Sequence, residues 1–208
     1  MINLLIISGS PVKQSSTDII LRRISDAIAD SVGNQVRVTS SFVKLNELDF
    51  IPCQSCGEAP TPKFCFFDDD LTEVYTKLAE CDCLLFGTPV YFDSVSAQAK
   101  MFIDRCNCIR PPDFSSTDPK HRFIRILQRK RPGAMVLVGG ERGWFEGARR
   151  VLAGFFKWVE VTSEGMIAYR SPNSRKAGSV VENRDTLAEA DALGKRLAEI
   201  IKGSNGRP

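Results

Sequence analysis

Asn3 to Ser8 is a continuous apolar run that ends in a Ser-Gly-Ser-Pro turn, the pattern of a strand covered on both faces. Behind the turn, Ile20, Ile24, Ala27, Ile28 and Val32 recur at helical spacing. They predict a helix that begins near Ser16 or Thr17 and stops at Gly33 and Asn34. Val36 to Val43 reads as strand two, Leu71 to Leu78 as a short helix and Cys83 to Gly87 as strand three. Val95, Ala99, Phe102, Ile103 and Cys106 form the inward stripe of another helix. Strand four is expected over Ala134 to Val138, followed by a Gly139-Gly140 turn, a helix over Gly147 to Trp158 and strand five over Thr162 to Ala168. Residues 169–184 read as loop, and Leu187, Ala190, Gly194, Leu197 and Ile201 mark the buried side of a closing helix.

Two segments interrupt this rhythm. Residues 45–70 have no clean period and hold three prolines and three cysteines, and residues 109–130 carry Pro-Pro, Asp-Pro and a basic run. The remainder predicts an α/β fold: five strands alternating with helices in one doubly wound parallel sheet, because parallel neighbours need crossovers and right-handed crossovers cover both faces. One domain over residues 1–208 is expected, with the two segments as excursions. Ligands in such sheets sit beyond the carboxyl ends of the strands, so the loops after strands one, three and four carry the chemistry.

The first of these loops, Ser8 to Thr17, is dense in hydroxyls and delivers the chain to a helix N-terminus, where free N–H groups and the helix dipole favour an anion. It lacks the three glycines of the dinucleotide fingerprint and the Gly-Lys-Ser/Thr of a triphosphate loop, which points to a monophosphate. Ser and Thr also serve as ordinary helix caps. Gly87 to Ser94, after strand three, offers a Pro-bounded turn with adjacent aromatics that suits a planar heterocycle, although core packing alone would explain Tyr91 and Phe92. Gly139 to Trp144 supplies glycines for close backbone approach and an aromatic edge. Three suitable loops at one sheet edge indicate a nucleotide-like cofactor.

Composition narrows the classes. The 208 residues are 43% hydrophobic, enough for a proper core, and no stretch has the roughly 20 apolar residues of a membrane span. The amino terminus reads as a strand and not as an export signal. Seven cysteines, an odd number, suit reduced thiols and a cytoplasmic address. A net charge of +3 does not call for nucleic acid, and the run Lys120, Arg122, Arg125, Arg129, Lys130 and Arg131 reads as a solvated face.

The sequence resembles the NAD(P)H-dependent FMN reductases of flavodoxin-like fold, and within them the branch that includes the iron–sulfur flavoproteins. The likeness is carried by Gly9-Ser10-Pro11 with Ser15-Ser16-Thr17, and by Gly87-Thr88-Pro89-Val90-Tyr91 running into Ser94-Val95-Ser96-Ala97-Gln98 and Phe102-Ile103-Asp104-Arg105. Arg131-Pro132-Gly133-Ala134 and Gly194-Lys195-Arg196-Leu197-Ala198 add to it. The resemblance implies a three-layer sandwich with strand order 2-1-3-4-5 and bound FMN. Ser10, Ser15, Ser16 and Thr17 would hold the phosphate, with Lys13 near. Pro89, Val90, Tyr91, Phe92 and Ser94 would surround the isoalloxazine ring, and Gly139, Gly140 and Gly143 its other side. NADPH or NADH would donate a hydride, and electrons would leave for a flavin, a quinone or another small acceptor, with no protein acid or nucleophile required. A homodimer or homotetramer is expected by analogy. A non-catalytic FMN electron carrier, with room for a metal site at the cysteine excursion, is the alternative; carriers of the flavodoxin kind are strongly acidic, and this chain is slightly basic.

Cys53, Cys56, Cys65 and Asp68-Asp69-Asp70 look like the cysteine excursion of the iron–sulfur flavoproteins, but Ala59 stands where a third cysteine of the compact group is expected. Three thiolates are too few for a cubane, and the one histidine, His121, lies in the basic segment, so no metal is assigned. A redox-active dithiol is the competing reading of Cys53 and Cys56. Cys81, Cys83, Cys106 and Cys108 read as core thiols.

Overall fold

A computed structural model describes residues 1–33, 36–57, 64–118, 122–173 and 176–205. Five parallel strands form the sheet: β1 (Ile2–Ser8), β2 (Val38–Lys44), β3 (Cys83–Tyr91), β5 (Arg131–Gly140) and β6 (Val161–Ser171), in the spatial order β2-β1-β3-β5-β6. This is the expected order. A sixth strand, β4 (Ser94–Val95), pairs antiparallel with the end of β3.

The period of two sorts each central strand between two cores. Leu5, Ile7, Leu84, Phe86, Met135 and Leu137 point to the layer of α2 (Leu71–Glu80), α3 (Ala97–Arg105) and α4 (Glu146–Trp158). Leu4, Ile6, Cys83, Leu85, Ala134 and Val136 point to α1 (Ser16–Val32) and α5 (Arg184–Asn205). Helix α1 buries the five predicted residues Ile20, Ile24, Ala27, Ile28 and Val32, with Leu21 beside them. It lies close against α5: a Cβ at Gly194 would come within 2.6 Å of the Ala27 Cβ, so only glycine lets the helices approach this far.

Several boundaries move. Strand three does not end at Gly87, because its ladder with β5 continues through Thr88↔Leu137 and Pro89↔Val138. The Gly-Thr-Pro-Val-Tyr block is therefore strand and not loop. Gly139 and Gly140 likewise belong to β5 and are paired with Arg170 and Ser171. Val95 lies in β4 and Cys106 in the turn after α3; that helix starts instead at the cap Ser96, whose hydroxyl accepts from the Ala99 amide at 3.2 Å. β2 begins at Val38. The predicted loop 169–184 contains the last residues of β6 and a helical turn at Ser179–Glu182, where Tyr169, Ser171 and Ser179 are joined by hydroxyl hydrogen bonds.

The basic run is not simply a solvated face. Arg131 is buried at the start of β5 and donates to the Val159 carbonyl, Arg129 pairs with Asp82, and Arg125 pairs with the buried Glu160. Asn34, Ala59, Lys120 and His121 lie outside the described residues.

Candidate functional site

The carboxyl ends of β1, β3 and β5 open onto a cavity of about 250 Å³. Ser10, Ser15, Ser16 and Thr17 line it from the first loop, Pro89, Val90 and Tyr91 from β3, and Gly139 and Gly140 from β5. These are nine of the thirteen residues expected from sequence. The other four stand elsewhere. Lys13 is exposed on the loop just before Gln14, a residue at φ 51. Phe92 projects from a hairpin tip, Ser94 is on the returning strand, and Gly143 is held on the Gly140 carbonyl by its own amide.

The hydroxyl loop is held ready for an anion. Ser15 caps α1, accepting from the Asp18 amide at 3.1 Å, while the Asp18 carboxylate accepts from the Ser15 amide at 3.4 Å. The Ser10 hydroxyl accepts from the Val12 amide at 3.3 Å, and that of Ser16 from the Val180 amide at 3.2 Å. Each of these hydroxyls has one lone pair engaged by backbone and its own hydrogen left to give. The first-turn amides of α1 have no acceptor within the helix, and its dipole adds positive potential. The loop therefore suits a group with several acceptor oxygens.

Under the loop lies a buried ion pair. Asp18 takes hydrogen bonds from the Ser8 hydroxyl and the Lys44 ammonium, each at 2.5 Å, and Lys44 also donates to the Val12 carbonyl at 2.8 Å. Lys44, the last residue of β2, neutralises a carboxylate that would otherwise repel an anion, and it ties the loop to the sheet. The capping-box spacing of Ser15 and Asp18 is a readable sequence signal for the first partner. Nothing local marks Lys44.

The remaining walls are fastened to this loop. A Cβ at Gly87 would fall 2.7 Å from the Thr17 methyl and 2.8 Å from Leu21, so the start of α1 rests directly on β3. Ser96 donates to the Gly9 carbonyl at 2.6 Å, and its amide donates to the Thr88 hydroxyl at 3.0 Å. Phe92 and Asp93, at φ 51 and 57, make the two-residue turn between β3 and β4, and the Gly147 amide at the start of α4 donates to Asp93 at 3.1 Å. Ser171, Lys176, Ala177 and Gly178 close the cavity from behind β6. They were missed because residues 169–184 read as plain loop; among the described residues Lys176, paired with Glu182, and not Lys13, is the cation on the cavity wall.

A second, larger cavity of about 500 Å³ lies beside the C-terminal ends of α3 and α4. Cys53, Cys56, Cys65 and Cys108 border it, with Arg105, Arg110, Phe67, Phe114, Phe123 and Trp158. Cys81, Cys83 and Cys106 are core residues, as expected, but Cys108 reaches this wall. No helix among the described residues is long and apolar enough to cross a membrane.

The family model for NADPH-dependent FMN reductase matches residues 2–169. An iron–sulfur flavoprotein of Methanocaldococcus jannaschii is 30% identical over 204 residues, covering 94% of this chain and 95% of that protein. An iron–sulfur flavoprotein of Methanosarcina thermophila is 27% identical over 204 residues, with 94% and 93% covered. Among solved structures, an NAD(P)H:quinone oxidoreductase from Methanothermobacter marburgensis shares the fold at a TM-score of 0.66, with 17% identity over 94% of this chain and 95% of that one. With a family model spanning most of its length and a relative at 30% identity from end to end, this chain belongs to the NADPH-dependent FMN reductase family and is an FMN-dependent oxidoreductase of flavodoxin-like fold.

Proposed function

We propose that the carboxyl-edge cavity holds FMN and that the chain passes electrons from NADH or NADPH through it to a flavin, quinone or other small acceptor. The observation that carries this reading is the meeting, around one cavity, of a hydroxyl-rich helix N-terminus, the Pro89–Tyr91 strand end and the Gly139-Gly140 backbone. Ser10, Ser15, Ser16 and Thr17 would donate to the phosphate, with Lys176 adding charge on the same wall. Pro89, Val90 and Tyr91 would hold one side of the ring system, and Gly139 and Gly140, bare of side chains, the other. A Cβ at Gly140 would meet nothing within 4 Å, so the ring would lie against backbone there. FMN supplies the hydride and electron chemistry. The protein's part is to bind the phosphate, orient the ring and leave one face open to the donor and then the acceptor; Tyr91, on the cavity wall, is exposed, as is Trp144 on the loop between β5 and α4. A homodimer or homotetramer would cover such exposed aromatics.

The test is an anaerobic spectrum of the FMN-loaded protein titrated with NADH and then NADPH. Bleaching of the flavin band by either supports a reductase and selects its donor. Bound FMN that neither nicotinamide bleaches would overturn the reductase reading, and failure to bind FMN would overturn the site.

A further inference from the structure

We infer, on the reading of the carboxyl-edge cavity as an FMN site, that Ser96 is a positioning residue that couples the phosphate half of that cavity to its ring half. Through it the hydroxyl loop and the end of β3 keep their places as one body. Ser96 is 1% exposed and Thr88 is fully buried. The Ser96 hydroxyl donates to the Gly9 carbonyl at 2.6 Å and accepts from the Ala99 amide at 3.2 Å, while the Ser96 amide donates to the Thr88 hydroxyl at 3.0 Å. The Thr88 hydroxyl in turn donates to the Pro89 carbonyl at 2.8 Å. A relay of hydrogen bonds therefore runs from Gly9, next to the cavity residue Ser10, to Pro89, the cavity residue of β3 that follows Thr88.

The direction of each bond is forced by chemistry. A carbonyl only accepts, so Ser96 gives its hydroxyl hydrogen to Gly9. An amide only donates, so Thr88 accepts from Ser96 and has its own hydrogen left for Pro89. Both side chains are buried, so cutting a link strands a polar group away from water. Helix capping does not account for this arrangement. A cap uses the lone pair of the Ser96 oxygen, which the Ala99 amide takes; it makes no demand on the hydroxyl hydrogen or on the Ser96 amide. Those two are directed instead at the two walls of the cavity. Packing closes the same joint: a Cβ at Gly9 would lie 2.8 Å from the Ala99 Cβ, 3.0 Å from the Ser96 oxygen and 3.4 Å from the Thr88 oxygen. The β1–β3 register ends at Ser8↔Gly87; past it, the Gly9 amide, bonded to the Gly87 carbonyl at 2.8 Å, and this relay connect the loop to β3. A shift of either wall is passed to the other.

The two ends can be cut separately. Thr88→Val removes the relay on the ring side without touching the loop, and Ser96→Ala removes it on the loop side without touching Pro89. Affinities for FMN and for riboflavin, which has the ring but no phosphate, are measured on the full-length variants. Thr88→Val should shrink the preference for FMN over riboflavin by about fivefold or more, the lower end of coupling between linked sites, and Ser96→Ala should weaken riboflavin by about the same factor. Thr88→Ser, which keeps the hydroxyl, should recover the preference, and the double variant should lose no more than the worse single one. Circular dichroism identifies the folded variants, and either single variant decides alone. Ser96→Gly, a change that helix caps tolerate, takes the place of Ser96→Ala where the latter does not fold. A folded Thr88→Val with the wild-type preference, or a folded Ser96 variant with wild-type riboflavin affinity, overturns the coupling and leaves the FMN site standing. A wild type that binds no FMN, or binds it no better than riboflavin, overturns the reading of the cavity and the coupling with it.

Discussion

The hydroxyl cavity at the carboxyl edge and the thiol cavity beside α3 rest on one scaffold but are assembled differently. A third of the first comes from a single turn of sequence, Ser10 to Thr17, and most of the rest from strand ends whose neighbours are set by the parallel register, with Lys176 to Gly178 behind them. The second is put together from residues 53–57, 65–67, 105–114, 123 and 158, and no two of those pieces are related by a helical or strand period. A site of the first kind is preformed wherever the fold forms. A site of the second kind depends on the long-range ties that hold an irregular excursion against two helix ends. The two should therefore fail separately, and the variants that show this follow in order of expected effect.

The largest effect is expected at Arg105. Its guanidinium holds Asp69 through Nη1 at 2.7 Å and Nη2 at 3.2 Å, the Ile51 carbonyl at 2.8 Å and the Cys65 sulfur, so one side chain fastens both limbs of the excursion to α3. Arg105→Met leaves the largely buried Asp69 carboxylate without a cation, a change that costs about 3–5 kcal/mol for a buried pair. Denaturant unfolding should report that loss, while FMN affinity, measured where the variant is still folded, stays within about twofold of wild type. A fall in FMN affinity parallel to the loss of stability would show that the two cavities are one cooperative unit.

The reverse variant is Lys44→Met. Asp18 keeps the Ser8 hydroxyl and the Ser15 amide as partners, so the expected loss is smaller, about 1.5–3 kcal/mol for hydrogen bonds to charged groups. The functional effect is larger: if the hydroxyl loop holds the FMN phosphate as proposed, an unneutralised carboxylate beneath it should weaken FMN at least tenfold and riboflavin, which has no phosphate, much less. Adding Asp18→Asn to Lys44→Met should restore part of both. Equal loss for FMN and riboflavin would mean that Lys44 holds the loop's shape and not its charge balance.

How much of this was readable in the sequence follows the same division. The alternation of strands and helices and the three loops at the cavity were legible because each rests on a local signal: apolar strand runs, the hydroxyl loop before α1, glycines at strand ends; the strand order and the individual cavity residues came with the family resemblance. The limits of the reading were also local. Thr88 and Pro89 carry turn-like residue types yet are held in β3 by β5, a case of tertiary pairing overriding local preference. Lys44 and Cys108 were missed or misplaced for another reason. Each acts on a partner far away in sequence, as Lys44 does on Asp18 and Cys108 on Cys65, and a single sequence carries no trace of such pairings. Arg131 shows the converse: a basic run suggests solvent, but the residue that starts a central strand is carried into the interior.

The smallest expected effect reads the thiol cavity through pH. Burial pushes Cys108 from 9.0 up to about 12, whereas the hydroxyl cavity contains no thiol to respond in that range. A folded-state value raised above the unfolded one means that the folded protein keeps the proton after the unfolded chain has lost it. The stabilisation is therefore complete below about pH 9 and is lost as pH rises through about 12, with a slope of at most about 1.4 kcal/mol per pH unit for one thiol. Cys81, held up to about 11, and Cys106, raised by full burial, titrate in the same direction, so wild-type stability should fall steadily under alkaline conditions. Cys108→Ala removes one share of that fall. Its denaturant midpoint should be lower than wild type near neutrality, where a buried side chain has been trimmed, and the gap should narrow between about pH 9 and about pH 10.5. Two parallel curves would mean that Cys108 is open to water, and the dry, arginine-backed wall that distinguishes the thiol cavity from the hydroxyl one would have to be given up.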